Sequence, residues 1–247
     1  MSDNQGVRLN KYMAQAGLCS RREADRLIAD GRVCVNGRTA TMGTVVMPTD
    51  KVTVHGKNVK GAQEKVVLAF YKPVGVTCTE KDKYAKKTMK EYLNHTVRLT
   101  YAGRLDKDSE GLLLLTNDGD LINALMRGAN RHEKEYIVKV NKEITDSFIQ
   151  DMGKGVYLKE LERTTRECEV EKIGKFTFRI ILTQGLNRQI RRMCQEFGYQ
   201  VVSLKRIRIN GIELGKLTPG QTRPVEGVEL KSLYQSVGMN HIVKVKR

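Results

Sequence analysis

Residues 102–118 read AGRLDKDSEGLLLLTND, and two different patterns meet in this stretch. Residues 111–116 are a continuous apolar run of strand length, which predicts a strand that is buried on both faces. The residues before it are mostly charged and include Arg104, Asp106, Lys107, Asp108 and Glu110. A rigid strand fixes the geometry of the side chains at its start, as a functional site requires. The stretch therefore predicts a central strand with a candidate site where it begins.

The segments around this strand mix strand and helix patterns without a regular order. Three further runs predict strands: VVLAFYK at 66–72, EYIVKV at 135–140 and FTFRIILT at 176–183. Apolar residues at helical spacing occur between these runs, in segments 121–125, 144–152 and 190–197. Because strands and helices do not alternate regularly, the pattern favours the α+β class with a mixed, mostly antiparallel sheet.

The first 54 residues have a different character. Leu9, Tyr12, Met13 and Ala16 share one helical face, and Ser20 to Glu23 has the S-x-x-E spacing of a capping box that begins a second helix. Alternating valines and an Asn36-Gly37 turn signal follow. We expect residues 1–54 to form a small helix-helix-strand domain, the polar residues 55–65 to be a linker, and residues 66–247 to form the second domain.

The composition indicates the kind of partner and compartment. The chain has 44 Lys and Arg against 28 Asp and Glu, a formal charge of +16, which favours nucleic acid over other partners. The sequence contains no apolar run of about 18 residues, and the N-terminus has no apolar signal core. The five cysteines are scattered, which argues against a disulfide framework or a structural zinc site. We expect a cytoplasmic protein with no membrane partner, metal or cofactor.

The charged residues before Gly111 allow three interpretations on composition alone. Asp106, Asp108 and Glu110 imitate the start of an EF-hand calcium loop, but the twelfth position is Asn117, which cannot supply the bidentate carboxylate. Asp106 and Asp108 are spaced for acid-base work on a glycosidic bond, but the sequence has no Trp and no aromatic platform for a sugar. The third interpretation is a loop that only keeps the protein soluble.

The literal string at 103–119, GRLDKDSEGLLLLTNDG, closely resembles the catalytic motif of pseudouridine synthases. It is most similar to the branch that modifies small- and large-subunit ribosomal RNA and carries an N-terminal S4 domain. Three further segments agree in the expected order: YKPVG at 71–75, HEKEYIVKV at 132–140 and QGLNRQIRRMCQEFGY at 184–199. Residues 8–37, RLNKYMAQAGLCSRREADRLIADGRVCVNG, resemble the S4 RNA-binding domain. The resemblance covers nearly the whole chain and implies an S4 domain followed by a pseudouridine synthase catalytic domain.

This resemblance implies three catalytic residues. Asp106 is implied as the essential carboxylate, which could act as a nucleophile or as a base. Tyr136 is implied to stack on the flipped uracil, with its hydroxyl available for proton transfer, and core packing is the alternative for a strand tyrosine. Arg191 is implied to pair with Asp106, because a carboxylate removed from water needs a cation to stay ionised. Helical spacing also places Arg191 opposite the apolar face of its segment.

Further basic residues are expected to contact RNA. Guanidinium groups bind phosphates bidentately and without regard to sequence. The candidates near the catalytic motifs are Lys72, Arg104, Arg188 and Arg192, and those in the S4-like block are Arg8, Lys11, Arg21, Arg22 and Arg26. A structural role is the alternative for Lys72, and bracing of the loop is the alternative for Arg104. A solvated helix face is the alternative for the S4-like block. The run Lys205 to Arg208 is expected to extend this basic surface, and a partly solvated strand face is the alternative.

The resemblance implies an enzyme that isomerises uridine in ribosomal RNA of the large subunit, with a tRNA as an additional substrate in some members. We expect a monomer that works without a cofactor. The alternative is a non-catalytic rRNA-binding factor for ribosome assembly. Such a factor would explain the charge, but it gives no reason for Asp106, Tyr136 and Arg191 to occur together in their motifs.

Overall fold

The computed structural model describes residues 6–79, 87–92, 95–127 and 131–239, which belong to two compact units. The first unit comprises residues 6–66 with the short segments 95–99 and 117–119, and the second comprises the other described residues. Within the described part of the chain, no helix has the length and apolar character needed to span a membrane.

The first unit packs two short helices against small antiparallel strands. Its elements are β1 (Val7–Arg8), α1 (Leu9–Gln15), α2 (Arg21–Ala29), β2 (Val33–Val35), β3 (Arg38–Thr39), β4 (Val45–Val46), β5 (Val52–Val54) and β6 (Lys57–Asn58). Strands β3-β2-β5-β6 form one sheet in that order, and β1 pairs with β4. Apolar side chains from both helices and from the strands make the core, among them Leu9, Met13, Ala24, Ile28, Val33 and Val52.

The local signals in this unit act as the sequence predicts. The Ser20 hydroxyl accepts a hydrogen bond from the Glu23 backbone N–H at 3.1 Å and so caps α2. Asn36 and Gly37 both have positive φ, 51° and 78°, as a two-residue hairpin turn requires. The predicted linker at 55–65 begins with a turn and with β6, which pairs with β5.

The second unit is built on a large mixed sheet flanked by helices, and the α+β class is confirmed. Its strands are β7 (Val67–Lys72), β8 (Thr100–Ala102), β9 (Glu110–Thr116), β10 (Lys134–Val140), β11 (Tyr157–Leu158), β12 (Arg163–Thr164), β13 (Glu169–Gly174), β14 (Thr177–Leu182), β15 (Val201–Ile209), β16 (Ile212–Glu213) and β17 (Thr222–Pro224). Its helices are α3 (Gly119–Met126), α4 (Asp146–Gly153), α5 (Gln189–Glu196) and α6 (Gly227–Ser236), with 3-10 turns at Met89–Tyr92 and Lys159–Leu161.

The strand order places β9 in the interior of this sheet. The order is β13-β14-β10-β15-β9-β7-β17, with β16 on β15 and β8 on β9. The pair β15-β9 is parallel, and the other pairs are antiparallel. Gly111, at φ +106°, lies so close to β15 that a Cβ there would collide with the carbonyl oxygen of Arg206. A glycine is therefore needed where the charged loop enters the strand.

The predicted buried strand is confirmed as β9. Its four leucines, Leu112 to Leu115, are at most 1% exposed, so both faces of the strand are covered. On one side, Leu112 and Leu114 pack with Leu121 of α3 and with Leu233 and Tyr234 of α6. Full burial of a leucine contributes roughly 1.5–3 kcal/mol relative to exposure. The loop before β9 is thus anchored to the most deeply buried strand of the unit.

Candidate active site

The loop that leads into β9 forms one wall of a cavity of about 630 Å³. The other walls come from β10, the end of β14, the turn before α5 and β15. A volume of this size is typical of sites for small organic groups. The cavity is lined on the loop side by Arg104, Asp106 and Asp108, and on the sheet side by Lys134, Tyr136 and Arg206.

Asp106 stands in the turn of this loop, with its side chain 33% exposed. The Ser109 N–H donates to the Asp106 carbonyl oxygen at 3.0 Å and closes the turn. Nη1 of Arg188 lies 3.8 Å from a carboxylate oxygen of Asp106 and equally far from one of Asp108. These pairs are partly solvated, because 43% of the Arg188 side chain is exposed. Asp106 is therefore a carboxylate at the cavity with a cation nearby, and it has no tight ion pair with the described residues.

The predicted ion pair between Arg191 and Asp106 is wrong in this structure. Nη2 of Arg191 donates to the carbonyl oxygen of Asp108 at 2.9 Å and to Oγ of Ser109 at 3.3 Å, and Nη1 donates to the carbonyl oxygen of Val201 at 3.4 Å. Arg188, with a left-handed backbone at φ 50°, precedes α5, so helical spacing does not govern its direction. Arg188 is consequently the cation beside Asp106, and Arg191 holds the backbone of the loop.

The electrostatics of Arg191 reflect this position. Burial and the neighbouring charge of Arg188 lower the pKa of the Arg191 guanidinium, and the charges of Asp108 and Asp106 act in the opposite direction. Nε of Arg191 is buried and has no hydrogen-bond partner among the described residues. The charges of Asp106 and Asp108 therefore act on Arg191, although Arg191 forms no ion pair with either carboxylate.

Lys72 does not lie on the RNA-facing surface where the sequence predicts it. It is fully buried at the end of β7, and its Nζ donates to the carbonyl oxygens of Ser109 at 2.7 Å, Pro73 at 2.8 Å and Lys107 at 3.5 Å. Burial lowers the pKa of Lys72 to about 8, although the charges of Cys78, Asp106 and Asp108 oppose that shift. Lys72 is therefore a buried residue that holds the loop in place through backbone hydrogen bonds.

Arg206 lines the cavity, whereas the sequence predicts that it extends the basic RNA-facing surface. Its side chain is only 3% exposed; Nε donates to the Leu112 carbonyl oxygen at 2.7 Å and Nη1 to the Arg104 carbonyl oxygen at 3.5 Å. Nη2 has no hydrogen-bond partner among the described residues. The register of β15 against β10 shifts between Tyr136, which pairs with Arg206, and Glu135, which pairs with Arg208. This irregularity sends the two arginines to opposite faces of the sheet, which simple alternation does not predict.

Tyr136 and Lys134 lie together on the cavity side of β10. Tyr136 is buried at 9% exposure and faces Ile180 of β14 and Arg206 of β15 across the sheet. Nζ of Lys134 donates to the His132 carbonyl oxygen at 3.3 Å. Burial and the charge of Arg206 lower the pKa of Lys134 to about 8. Lys134 is not among the residues predicted from the sequence; the signal that could have found it is its two-residue spacing from Tyr136 on a strand.

The remaining basic candidates lie in different settings. Arg104 is exposed and lines the cavity. Arg192 forms an ion pair with Glu160, and its Nε donates to the Asn187 carbonyl oxygen at 3.0 Å, so it is held by the protein. In the first unit, the exposed candidates are Arg8, Arg21, Arg22 and Arg26, and Lys11 is half-buried. Arg26 pairs with Glu23 at 3.3 Å, which reduces its availability to an anion.

The part of the chain that the structure describes contains no set of ligands for a metal ion. No three His, Cys, Asp or Glu residues there come together with the geometry of a metal site. Glu110, a residue of the EF-hand-like spacing, instead accepts a hydrogen bond from the Tyr71 hydroxyl at 3.0 Å. The calcium-loop interpretation also fails because residues 110–116 form β9.

Comparison with known proteins gives consistent matches. The family model for RNA pseudouridylate synthase matches residues 66–196, and the S4 domain model matches residues 7–52. The chain is 47% identical over 239 residues to the dual-specificity RNA pseudouridine synthase RluF of Escherichia coli O157:H7, covering 96% of this chain and 81% of the relative. An uncharacterized RNA pseudouridine synthase of Mycobacterium bovis is 36% identical over 243 residues, covering 95% and 96%. The crystal structure of a pseudouridylate synthase superposes with a TM-score of 0.68 at 25% identity, covering 92% of this chain and 99% of the other.

Proposed function

Because this chain belongs to the RNA pseudouridylate synthase family and carries an S4 domain, we propose that it isomerises uridine to pseudouridine in large-subunit ribosomal RNA. The observation that carries the proposal is the position of Asp106. Its carboxylate lies at a cavity large enough for a nucleobase, on a loop whose backbone is fixed by Lys72, Arg191 and Arg206.

Pseudouridine formation needs a carboxylate at a pocket that can hold a nucleobase. It breaks the N1–C1′ bond of uridine, turns the base and joins C5 to C1′, so the base must first leave the RNA stack and enter a pocket. Asp106 would act on the substrate there as nucleophile or base. Arg188 lies 3.8 Å from this carboxylate without covering it, since one third of the Asp106 side chain is exposed.

Tyr136 and the loop-binding cations have separate roles in this proposal. The Tyr136 ring lines the cavity from the sheet side, across the cavity from the loop, where it would stack on the flipped uracil. Arg191 is a positioning residue for Asp106, because it holds the Asp108 carbonyl oxygen and the Ser109 hydroxyl. Arg104 and Arg188 are exposed beside the cavity and would contact the phosphates that flank the target.

The S4 domain supplies affinity for structured RNA in this proposal. Arg21, Arg22 and Arg26 are exposed on α2, and Arg8 is exposed in β1. Unstacking a base costs a few kcal/mol, and phosphate contacts from a protein with a charge of +16 offset that cost. The proposed domains are an S4 domain at 1–54, a linker at 55–65 and a catalytic domain at 66–247, which is supported by the family matches at 7–52 and 66–196.

The substrate range follows from the relatives. The Escherichia coli relative is named a dual-specificity RNA pseudouridine synthase, which supports a second RNA substrate, and we propose a tRNA. We also propose that the protein works in the cytoplasm and acts as a monomer.

The test measures tritium release from transcripts labelled at uridine C5, since joining C5 to the sugar expels that hydrogen. Wild-type protein is expected to release tritium from a large-subunit rRNA transcript and not from a small-subunit transcript. Release from the small-subunit transcript alone would overturn the large-subunit assignment. Tight binding with no release from free, fragmentary or ribosome-assembled rRNA would overturn the enzymatic proposal and favour a non-catalytic assembly factor.

A further inference from the structure

Two cations on the sheet side of the cavity have no carboxylate partner among the residues that the structure describes. Lys134 and Arg206 flank Tyr136: Lys134 two residues before it on β10, and Arg206 opposite it on β15. Among the described charged groups, Arg206 is the one that shifts the pKa of Lys134, and it lowers that pKa together with burial. The hydrogen bonds that Lys134 and Arg206 make to the protein end on backbone carbonyl oxygens.

This pair has unused hydrogen-bond donors. Lys134 makes one hydrogen bond, to the His132 carbonyl oxygen, although an ammonium group has three donors. Nη2 of Arg206 has no partner among the described residues, although the residue is only 3% exposed. A third donor that lines the same cavity, Nε2 of Gln184, is also buried and unpartnered. Buried donors without acceptors are costly, which indicates that a bound ligand supplies the acceptors.

The burial of Lys134 and Arg206 indicates which part of the substrate they contact. Arg206 belongs to the floor of the cavity, and a phosphodiester, with a ribose on each side, cannot approach so buried a group. A flipped base is the part of a nucleotide that enters deepest. Uracil offers two carbonyl oxygens, O2 and O4, and cytosine has an amino donor in place of O4.

We propose that Lys134 and Arg206 form a donor pair that binds the carbonyl oxygens of the flipped uracil beside Tyr136 and rejects cytosine. The inference rests on the proposed uridine isomerisation and adds the means by which the base is chosen. Cytosine would bring its amino group against a cationic donor and leave that donor unpaired, and sites built in this way discriminate strongly.

Lys134 is the residue to change, because Arg206 also binds backbone carbonyl oxygens of the loop. Lys134→Met removes the charge and keeps the length of the side chain. Lys139→Met is the matched control: Lys139 lies on the same strand, is exposed, and points to the opposite face of the sheet. Both variants lose one positive charge, so their general attraction to RNA falls equally.

The experiment first maps the uridine that the wild type converts in a large-subunit rRNA transcript, and then uses short RNAs that carry uridine or cytidine at that position. Lys134→Met is expected to lower kcat/KM for conversion roughly 10- to 100-fold, the range for a hydrogen bond from a charged donor, and Lys139→Met less than threefold. Wild-type protein is expected to bind the uridine RNA at least about tenfold more tightly than the cytidine RNA, and Lys134→Met is expected to lose most of that preference.

The outcomes separate the two proposals. No conversion by the wild type overturns the proposed function, and the inference with it. Conversion in which Lys134→Met and Lys139→Met behave alike overturns the inference alone. A third arm replaces the phosphates that flank the target with neutral methylphosphonates. If the difference between the two variants disappears on that RNA, Lys134 binds a phosphate, and the assignment to the base is wrong.

Discussion

Nζ of Lys72 donates to the carbonyl oxygen of Ser109 at 2.7 Å, and through this bond the end of β7 holds the loop that carries Asp106. Arg191 from α5 and Arg206 from β15 hold the same loop in the same way. The three cations together bind the backbone carbonyl oxygens of Arg104, Lys107, Asp108, Ser109 and Leu112. The loop is therefore fixed through its backbone, which leaves the Asp106 carboxylate facing the cavity.

Lys72→Met is expected to lower both stability and turnover. The change leaves buried carbonyl oxygens without donors, which costs roughly 1–3 kcal/mol of unfolding free energy. It also loosens the Asp106 loop, so turnover should fall at least about tenfold, since small displacements of a catalytic group are costly. Urea unfolding measures stability, tritium release measures turnover, and filter binding measures RNA affinity.

The control for Lys72 is Lys107→Met, because the Lys107 side chain is exposed on the same loop and only its backbone oxygen is used. It should leave unfolding unchanged within about 0.5 kcal/mol. If Lys72→Met lowered RNA affinity and left stability unchanged, Lys72 would be an RNA contact, and its buried role would be contradicted.

Arg188→Gln and Arg191→Gln are expected to differ in stability. Arg188 is 43% exposed and its ion pairs are long, so its loss should change stability by less than about 1 kcal/mol while reducing turnover. Arg191 holds three acceptors and is half-buried, so its loss should reduce stability and turnover together. Thermal unfolding beside single-turnover assays distinguishes them, and equal loss of stability in both variants would contradict the assignment.

Activity is expected to fall as the pH rises through about 8. Burial lowers the pKa values of Lys72 and Lys134 to about 8, so both are charged below that pH and neutral above it. Deprotonation removes one donor from the loop and one cation from the cavity floor. The profile of kcat/KM between pH 6.5 and 9 measures this effect, and a flat profile to pH 9 would show that neither charge is needed.

The triple change Arg21/Arg22/Arg26→Ala is expected to weaken RNA binding. Each phosphate contact contributes about 0.7–0.9 to the slope of log affinity against log salt, so the slope should decrease by roughly 2–3. The matched control removes three exposed cations from the strand side of the same unit, Arg38, Lys51 and Lys57. Equal effects of the two triples would mean that general charge, and not the α2 face, binds the RNA.

Local patterns in the sequence predict the elements, and tertiary contacts decide the site. The four leucines of β9 and the Ser20 cap are read directly from spacing, because they depend on near neighbours. Asp106 and Tyr136, which the family resemblance singles out, lie on elements that meet at the cavity. Spacing fails for Arg188, whose left-handed backbone takes it out of the helical pattern, and for Arg206, which the irregular register of β15 turns inward.

Two aspartates of the loop, Asp106 and Asp108, lie at the same distance from Arg188. We assign the catalytic carboxylate to Asp106. Both line the cavity, but the Asp106 side chain is 33% exposed and the Asp108 side chain is 64% exposed. The decisive measurement is single-turnover tritium release from C5-labelled large-subunit rRNA with Asp106→Asn and Asp108→Asn in parallel. We predict no release with Asp106→Asn, with RNA affinity kept, and release within about threefold of wild type with Asp108→Asn. Turnover by Asp106→Asn, or equal loss in both variants, would contradict the assignment of Asp106.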